Sequence, residues 1–153
     1  MYKKVCFMDI LSNLSESLKE LMSEGGLNQS ELAKQLNCGR SKFSDILNAK
    51  GAPNYKTFVS IIEYFNCSAD FLLGLNEYPC REVTYRRCPE FSAQLRKMFN
   101  ESHKSQYNFV NATDTSWSVL HGWLSGKTFP SADNLIKLAK YFDCSVDFLL
   151  GRV

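Results

Sequence analysis

The chain states one pattern twice. Tyr64-Phe65-Asn66-Cys67-Ser68-Ala69-Asp70-Phe71-Leu72-Leu73-Gly74 returns as Tyr141-Phe142-Asp143-Cys144-Ser145-Val146-Asp147-Phe148-Leu149-Leu150-Gly151, shifted by 77 residues, with 9 of 11 positions identical. Without a gap, the register extends back to Leu14 over Phe91 and keeps 17 identities in 61 positions. A repeat of this length fixes the architecture first, because each copy is one structural unit used again. The expected division is a first domain at 1–76 with an N-terminal extension, a linker at 77–89 and a second domain at 90–153. Domains of that size fold alone, with a thin margin.

Both copies are written in helical periodicity. Leu14, Leu18, Leu21 and Met22 recur as Phe91, Leu95, Met98 and Phe99. Each set reads i, i+4, i+7, i+8, one apolar stripe on a helix. Gly25-Gly26 stops the first helix. A second helix is predicted over about Gln29 to Leu36, with Asn28 as its N-cap and Glu31 at capping-box spacing. Asn37-Cys38-Gly39 has turn chemistry, since Asn and Gly tolerate left-handed backbone. A third helix, about Arg40 to Asn48, carries Phe43, Ile46 and Leu47 on one side. After the break at Lys50 to Pro53, a fourth helix over about Tyr55 to Phe65 shows Phe58, Ile61, Ile62 and Phe65 at i, i+3, i+4, i+7. Ser68 and Ser145 then cap a short fifth helix that ends at Gly74 and Gly151. The fold class is therefore all-α, two tandem five-helix domains. Glu82 to Arg86 alternates polar and apolar between Pro79 and Pro89, and is weighed as a short strand pairing with Lys4 to Phe7.

Composition narrows the function. With 18 basic and 16 acidic side chains, net charge is +2, and neither copy is strongly basic. Nucleic-acid binding must then come from a local arrangement of charge with a modest number of phosphate contacts. The start, Met1 to Asp9, is basic but soon acidic, and too short in apolar length for a signal peptide. No apolar run reaches the roughly 18 residues of a membrane span, so a cytoplasmic protein is expected. Six cysteines make no C-x-x-C pair, so the usual zinc spacing is missing. Cys67 and Cys144 are expected to be small buried hydrophobes. Cys80 and Cys88 flank the linker and suit a disulfide, although reduced thiols are favoured in a cytosolic chain. His103 and His121 are too few for a metal argument, no glycine-rich phosphate loop is present, and no nucleophile arrangement supports an enzyme. No metal or cofactor is expected.

The second and third helices carry the functional signal. Two short helices joined by a tight turn, the second with a polar face, form the helix-turn-helix pattern. In that geometry the second helix enters the major groove of double-stranded DNA. Opposite the apolar side lie Arg40, Ser41, Ser44, Asp45 and Asn48, at i, i+1, i+4, i+5, i+8. Arg bonds guanine O6 and N7 bidentately, Ser donates or accepts, and Asp accepts from cytosine N4. Lys42 and Lys50 flank this stripe at places suited to phosphate, and Gln29 opens the second helix where an amide and helix N–H groups meet a phosphate.

Leu27-Asn28-Gln29-Ser30-Glu31-Leu32-Ala33, Asn37-Cys38-Gly39-Arg40-Ser41 and the ending Cys67 to Gly74 resemble the Cro and phage-repressor-like helix-turn-helix family, also called the xenobiotic-response-element family. The resemblance covers nearly all of both copies. It implies sequence-specific duplex DNA binding and transcriptional control, often repression. It also implies a phosphate contact at Gln29, base-reading positions at Arg40, Ser41, Ser44 and Asp45, and a backbone contact near Lys50. Gly39 stands at the cap where the family more often has Ser.

Copy two departs more. Its second helix starts at Ser105-Gln106, its turn is Asp114-Thr115-Ser116, and its third helix begins at Trp117. Val119, Leu120, Trp123 and Leu124 are expected in or near the core. The exposed stripe is then Trp117, Ser118, His121, Gly122 and Ser125, without fixed positive charge until Lys127. Gly122 inside a helix costs roughly 1 kcal/mol against alanine. Three readings stay open: Trp117 lies on thymine methyls while Ser118 and His121 meet base edges; the Trp117 face binds a protein partner; or Trp117 folds back on its own domain. If both copies read DNA, the operator is asymmetric, with the two centres about 34 Å or a multiple apart. If only copy one reads it, copy two mediates a homodimer and the operator is palindromic. The rival from another class is a protein-interaction module, such as an antirepressor or antitoxin-like adaptor.

Overall fold

The computed structural model describes residues 7–153, with side chains from Asp9 onward. The chain divides between Tyr85 and Arg86 into two compact units. The first holds α1 (Phe7–Gly25), α2 (Gln29–Gln35), α3 (Arg40–Leu47), α4 (Tyr55–Phe65) and α5 (Ala69–Leu72). The second holds α6 (Phe91–Ser102), α7 (Gln106–Thr113), α8 (Trp117–Ser125), α9 (Ala132–Phe142) and α10 (Val146–Leu149). All the described regular structure is helical.

Each unit is organised by its first helix. Leu14, Leu18 and Leu21 of α1 are buried, as are Phe91, Leu95, Met98 and Phe99 of α6. On these stripes α1 packs against α3 and α5, and α6 packs against α8 and α10. Phe43, Ile61 and Ile62 are wholly buried in the first core, and Leu95, Phe109 and Leu120 in the second. Full burial of one such side chain stabilises by about 1.5–3 kcal/mol, the main force holding helices this short in place.

The turns repeat as faithfully as the cores. Left-handed backbone occurs at Gly26, Asn37, Ala49, Asn66 and Gly74, and again 77 residues on at His103, Asp114, Gly126, Asp143 and Gly151. Asn and Asp tolerate this region because their side chains bond locally. Side-chain N-caps start α2 (Asn28), α4 (Asn54), α5 (Ser68), α7 (Ser105), α8 (Ser116) and α10 (Ser145). One detail departs from expectation. Asn28 Oδ1 accepts from the Ser30 N–H at 2.8 Å, so the cap bond falls one residue short of the Glu31 capping-box position.

The segment between the two repeats is not strand. Glu82 to Arg86 is turn and irregular backbone; of its proposed mate, residues 4–6 lie outside the described residues and Phe7 opens α1. Instead Pro79, Arg81 and Val83 hold to the first unit through polar contacts. The Ser68 N–H donates to the Pro79 carbonyl at 2.8 Å, Asn66 Nδ2 donates to the Arg81 and Val83 carbonyls, and Arg81 pairs with Glu24 at 3.0 Å. Cys6 also lies outside the described residues. Cys38, Cys67, Cys80, Cys88 and Cys144 are thiols. Cys67 is buried as expected, whereas Cys144 is only half-buried.

Candidate nucleic-acid interface

The first unit builds its site on the α2–turn–α3 segment. Leu32 and Ala33 pin α2 to the core, and Phe43, Ile46 and Leu47 pin α3. Asn37 turns the chain in left-handed backbone, and the Cys38 N–H donates back to the Ala33 carbonyl at 2.9 Å. At the far end, the buried Ser15 hydroxyl donates to the Leu47 carbonyl, which ties the last turn of α3 to α1. A short helix held at both ends presents its outer face at a fixed angle.

That face carries Arg40, Ser41, Ser44 and Asn48. Arg40, Ser41 and Asn48 are exposed, and Ser44 is half-buried. Among the described residues Arg40 makes no ion pair, so its guanidinium donors face solvent. Asn48 turns its amide back on the helix, donating to the Ser44 carbonyl at 2.9 Å and to Ser44 Oγ at 3.3 Å. Asp45 is exposed as well. With Lys42 it lines a hollow of about 200 Å3 with Cys38, Ile46, Pro53 and Thr57, between α3 and the loop into α4. Lys50 is exposed just past the helix, its N–H bonded to the Asp45 carbonyl at 2.8 Å. Gln29 is exposed at the first position of α2. Burial pushes the Cys38 thiol above its usual range, while Lys42 and a hydrogen bond with Thr57 pull the other way.

The second unit gathers its expected residues differently. Trp117, Ser118, His121, Gly122, Ser125 and Lys127 line one shallow concavity of about 480 Å3 on the outer face of α8. Gln106 is half-buried at the start of α7, apart from that lining. Trp117 is 42% exposed, so it does not fold back into its own domain; its ring meets the His121 ring edge to face, with centroids 5.7 Å apart. Leu120 and Trp123 enter the core as expected, but Leu124 is half-buried and Val119 is exposed. Val119 precedes the core residue Leu120 by one position, which rotates it about 100° away from the buried side.

Gly122 has a packing reason that composition does not show. A Cβ there would lie 2.3 Å from Thr128 Oγ1, so the glycine lets the loop after α8 close on the helix. The Lys127 and Thr128 N–H groups both donate to the Gly122 carbonyl, at 3.0 and 3.2 Å. Further exposed aromatics of this unit were missed by reading α8 alone, among them Tyr107 on α7 and Phe129 after α8. The signal was available in the repeat, where Ser30 and Ala52 occupy the same places.

A family model described as a helix-turn-helix domain matches residues 13–71. A second, described as a Cro/C1-type HTH DNA-binding domain, matches residues 94–153. The HTH-type transcriptional regulator ImmR of Bacillus subtilis (strain 168) is 32% identical over 72 residues, 47% of this chain and 57% of that protein. The chain thus spans little more than half the length of that relative. No solved structure matches it.

Proposed function

We propose, for a chain that belongs to the helix-turn-helix family through two tandem domains, the second of Cro/C1 type, that it is a sequence-specific duplex-DNA-binding transcriptional regulator. The observation that carries the reading is α3 itself. Its apolar side is buried, and its other side offers an unpaired Arg40 beside Ser41 and Ser44. Arg40 reads guanine, the serines and Asn48 adjust to neighbouring edges once Asn48 releases Ser44, and Asp45 meets a cytosine amine. Lys42, Lys50 and Gln29 hold phosphates and set the register. The second domain, 90–153, reads DNA through α8, with Gln106 at the backbone, joined to the first by residues 77–89. Linkage makes its contact intramolecular, which raises affinity without new contacts. Bound at a promoter, such a protein represses by occupancy.

Trp117, Tyr107, Val119 and Phe129 are each at least 40% exposed, and they favour one rival, a protein-interaction module on the second domain. Exposed aromatics are a common protein-contact signature.

Selection of bound sequences from a random duplex library, at near-physiological salt, separates these readings. The expected result is a two-part asymmetric motif, lost at one base pair in Arg40→Ala. A palindromic motif would assign DNA reading to the first domain within a homodimer. Folded protein that enriches no sequence would sink the DNA reading and leave the interaction module.

A further inference from the structure

The two outer faces, aligned by the repeat, differ in kind. Arg40, Lys42 and Asp45 of α3 stand where α8 has Trp117, Val119 and Gly122. Every charge on the helix is replaced by an apolar group or by no side chain. Only the cation past the helix persists, as Lys50 and Lys127. The polar groups left on α8 are small or uncharged hydrogen-bonders, Ser118, His121 and Ser125, and they share one concavity with the Trp117 ring. His121 packs edge to face with Trp117, whose indole stands exposed at that concavity.

An arginine reads guanine through two hydrogen bonds, and an indole ring face has nothing to offer those acceptors. What it offers is apolar surface. In the major groove the one apolar group on an ordinary base edge is the C5 methyl of thymine. We propose that α8 reads thymine by its methyl group, seated against Trp117. Ser118 and His121 meet the adjoining base edges, and Lys127 meets a phosphate. The inference rests on DNA reading by the second domain. It gives the two halves of the operator different anchors, guanine under α3 and thymine under α8.

Replacing thymidine by deoxyuridine removes that methyl and nothing else. The test remakes the selected operator with deoxyuridine at one position at a time and measures affinity with the full chain. The expected result is a loss of about 4-fold at one or two thymines in the half bound by the second domain, the effect of exposing one methyl group. Thymines elsewhere are indifferent. Trp117→Ala binds the thymidine and deoxyuridine operators alike. A second half-site without thymine, a half-site insensitive to deoxyuridine, or a deoxyuridine penalty that persists in a folded Trp117→Ala each overturns the inference while the DNA reading stands. Failure to enrich any operator overturns both. Should Trp117→Ala not fold, the deoxyuridine series on the native chain decides alone.

Discussion

Arg152 Nη1 donates to Asp147 Oδ1 at 2.6 Å, with the two side chains 1% and 7% exposed. The backbone doubles the tie, since the Arg152 N–H donates to the Asp147 carbonyl at 3.0 Å and the Arg86 N–H to the Arg152 carbonyl at 2.8 Å. The first domain buries Asp70 at the place of Asp147 but has Leu75 where Arg152 stands. Removing one member of a buried pair strands the other charge. Arg152→Ala is expected to cost about 3–5 kcal/mol, and removal of both partners less than that. Urea unfolding of the full chain checks this. Loss from the second domain with the first unchanged is the expected outcome; a loss below 1 kcal/mol would contradict it.

Ala49 holds φ +57 at the end of α3, where the repeat places Gly126 at φ +77 after α8. Left-handed backbone costs an L-residue roughly 1–2 kcal/mol, and glycine avoids it. Ala49→Gly should therefore stabilise the first domain, by up to about 1 kcal/mol after glycine's own entropy cost. Gly126→Ala should destabilise the second by a similar amount. Paired thermal melts decide, and a stabilising Gly126→Ala would refute the argument.

The N-caps of α3 and α8 are unequal. Ser116 Oγ accepts from the Val119 N–H at 3.2 Å, whereas Gly39 has no side chain to offer α3. Ser116→Ala should cost about 1 kcal/mol. Gly39→Ser should add a few tenths of a kcal/mol, because glycine is only slightly worse than serine at this position. Both are read from denaturation midpoints; a Ser116→Ala midpoint equal to that of the native chain would count against the cap.

Cys38 ought to resist alkylation. Its thiol is held above the ordinary value of 9.0 by burial, so at pH 8 the thiolate is scarcer than in the unfolded chain. Iodoacetamide labelling followed by peptide mass spectrometry should find Cys38 slower in the folded protein. Lys42→Ala should slow it further, since Lys42 favours the thiolate. The sign for stability follows from the same shift. The folded pKa is raised, so the unfolded chain ionises first and this group's contribution to stability declines as pH climbs past about 9. Faster labelling in the folded state would reverse the assignment.

Much of this protein was legible before its fold. Helix spacing named Leu14, Leu18, Phe43, Ile61, Leu95 and Leu120, all of which are buried. Local chemistry named the Asn28, Ser68 and Ser145 caps and the left-handed Asn37. These are short-range effects, fixed by residues a turn or less apart. Val119 escaped because periodicity alone cannot say which of two adjacent apolar residues takes the last place on a core face. The strand weighed at Glu82 to Arg86 did not form, and five residues of alternation are too weak a signal to name one.

The sequence by itself determined the two-domain architecture, the family, the cores and the helix that bears Arg40. A repeat in register transmits all of these, since both copies meet the same packing demands. Tertiary structure alone decided that Asp45 and Lys42 line one hollow with Cys38 and Thr57, that Trp117 stands beside His121 at an open concavity, that Gly122 admits Thr128 and that Arg152 is buried on Asp147. Each of these depends on where a loop or a second helix closes in space. That closure is set by the sum of many weak contacts, and no residue's own preference encodes it.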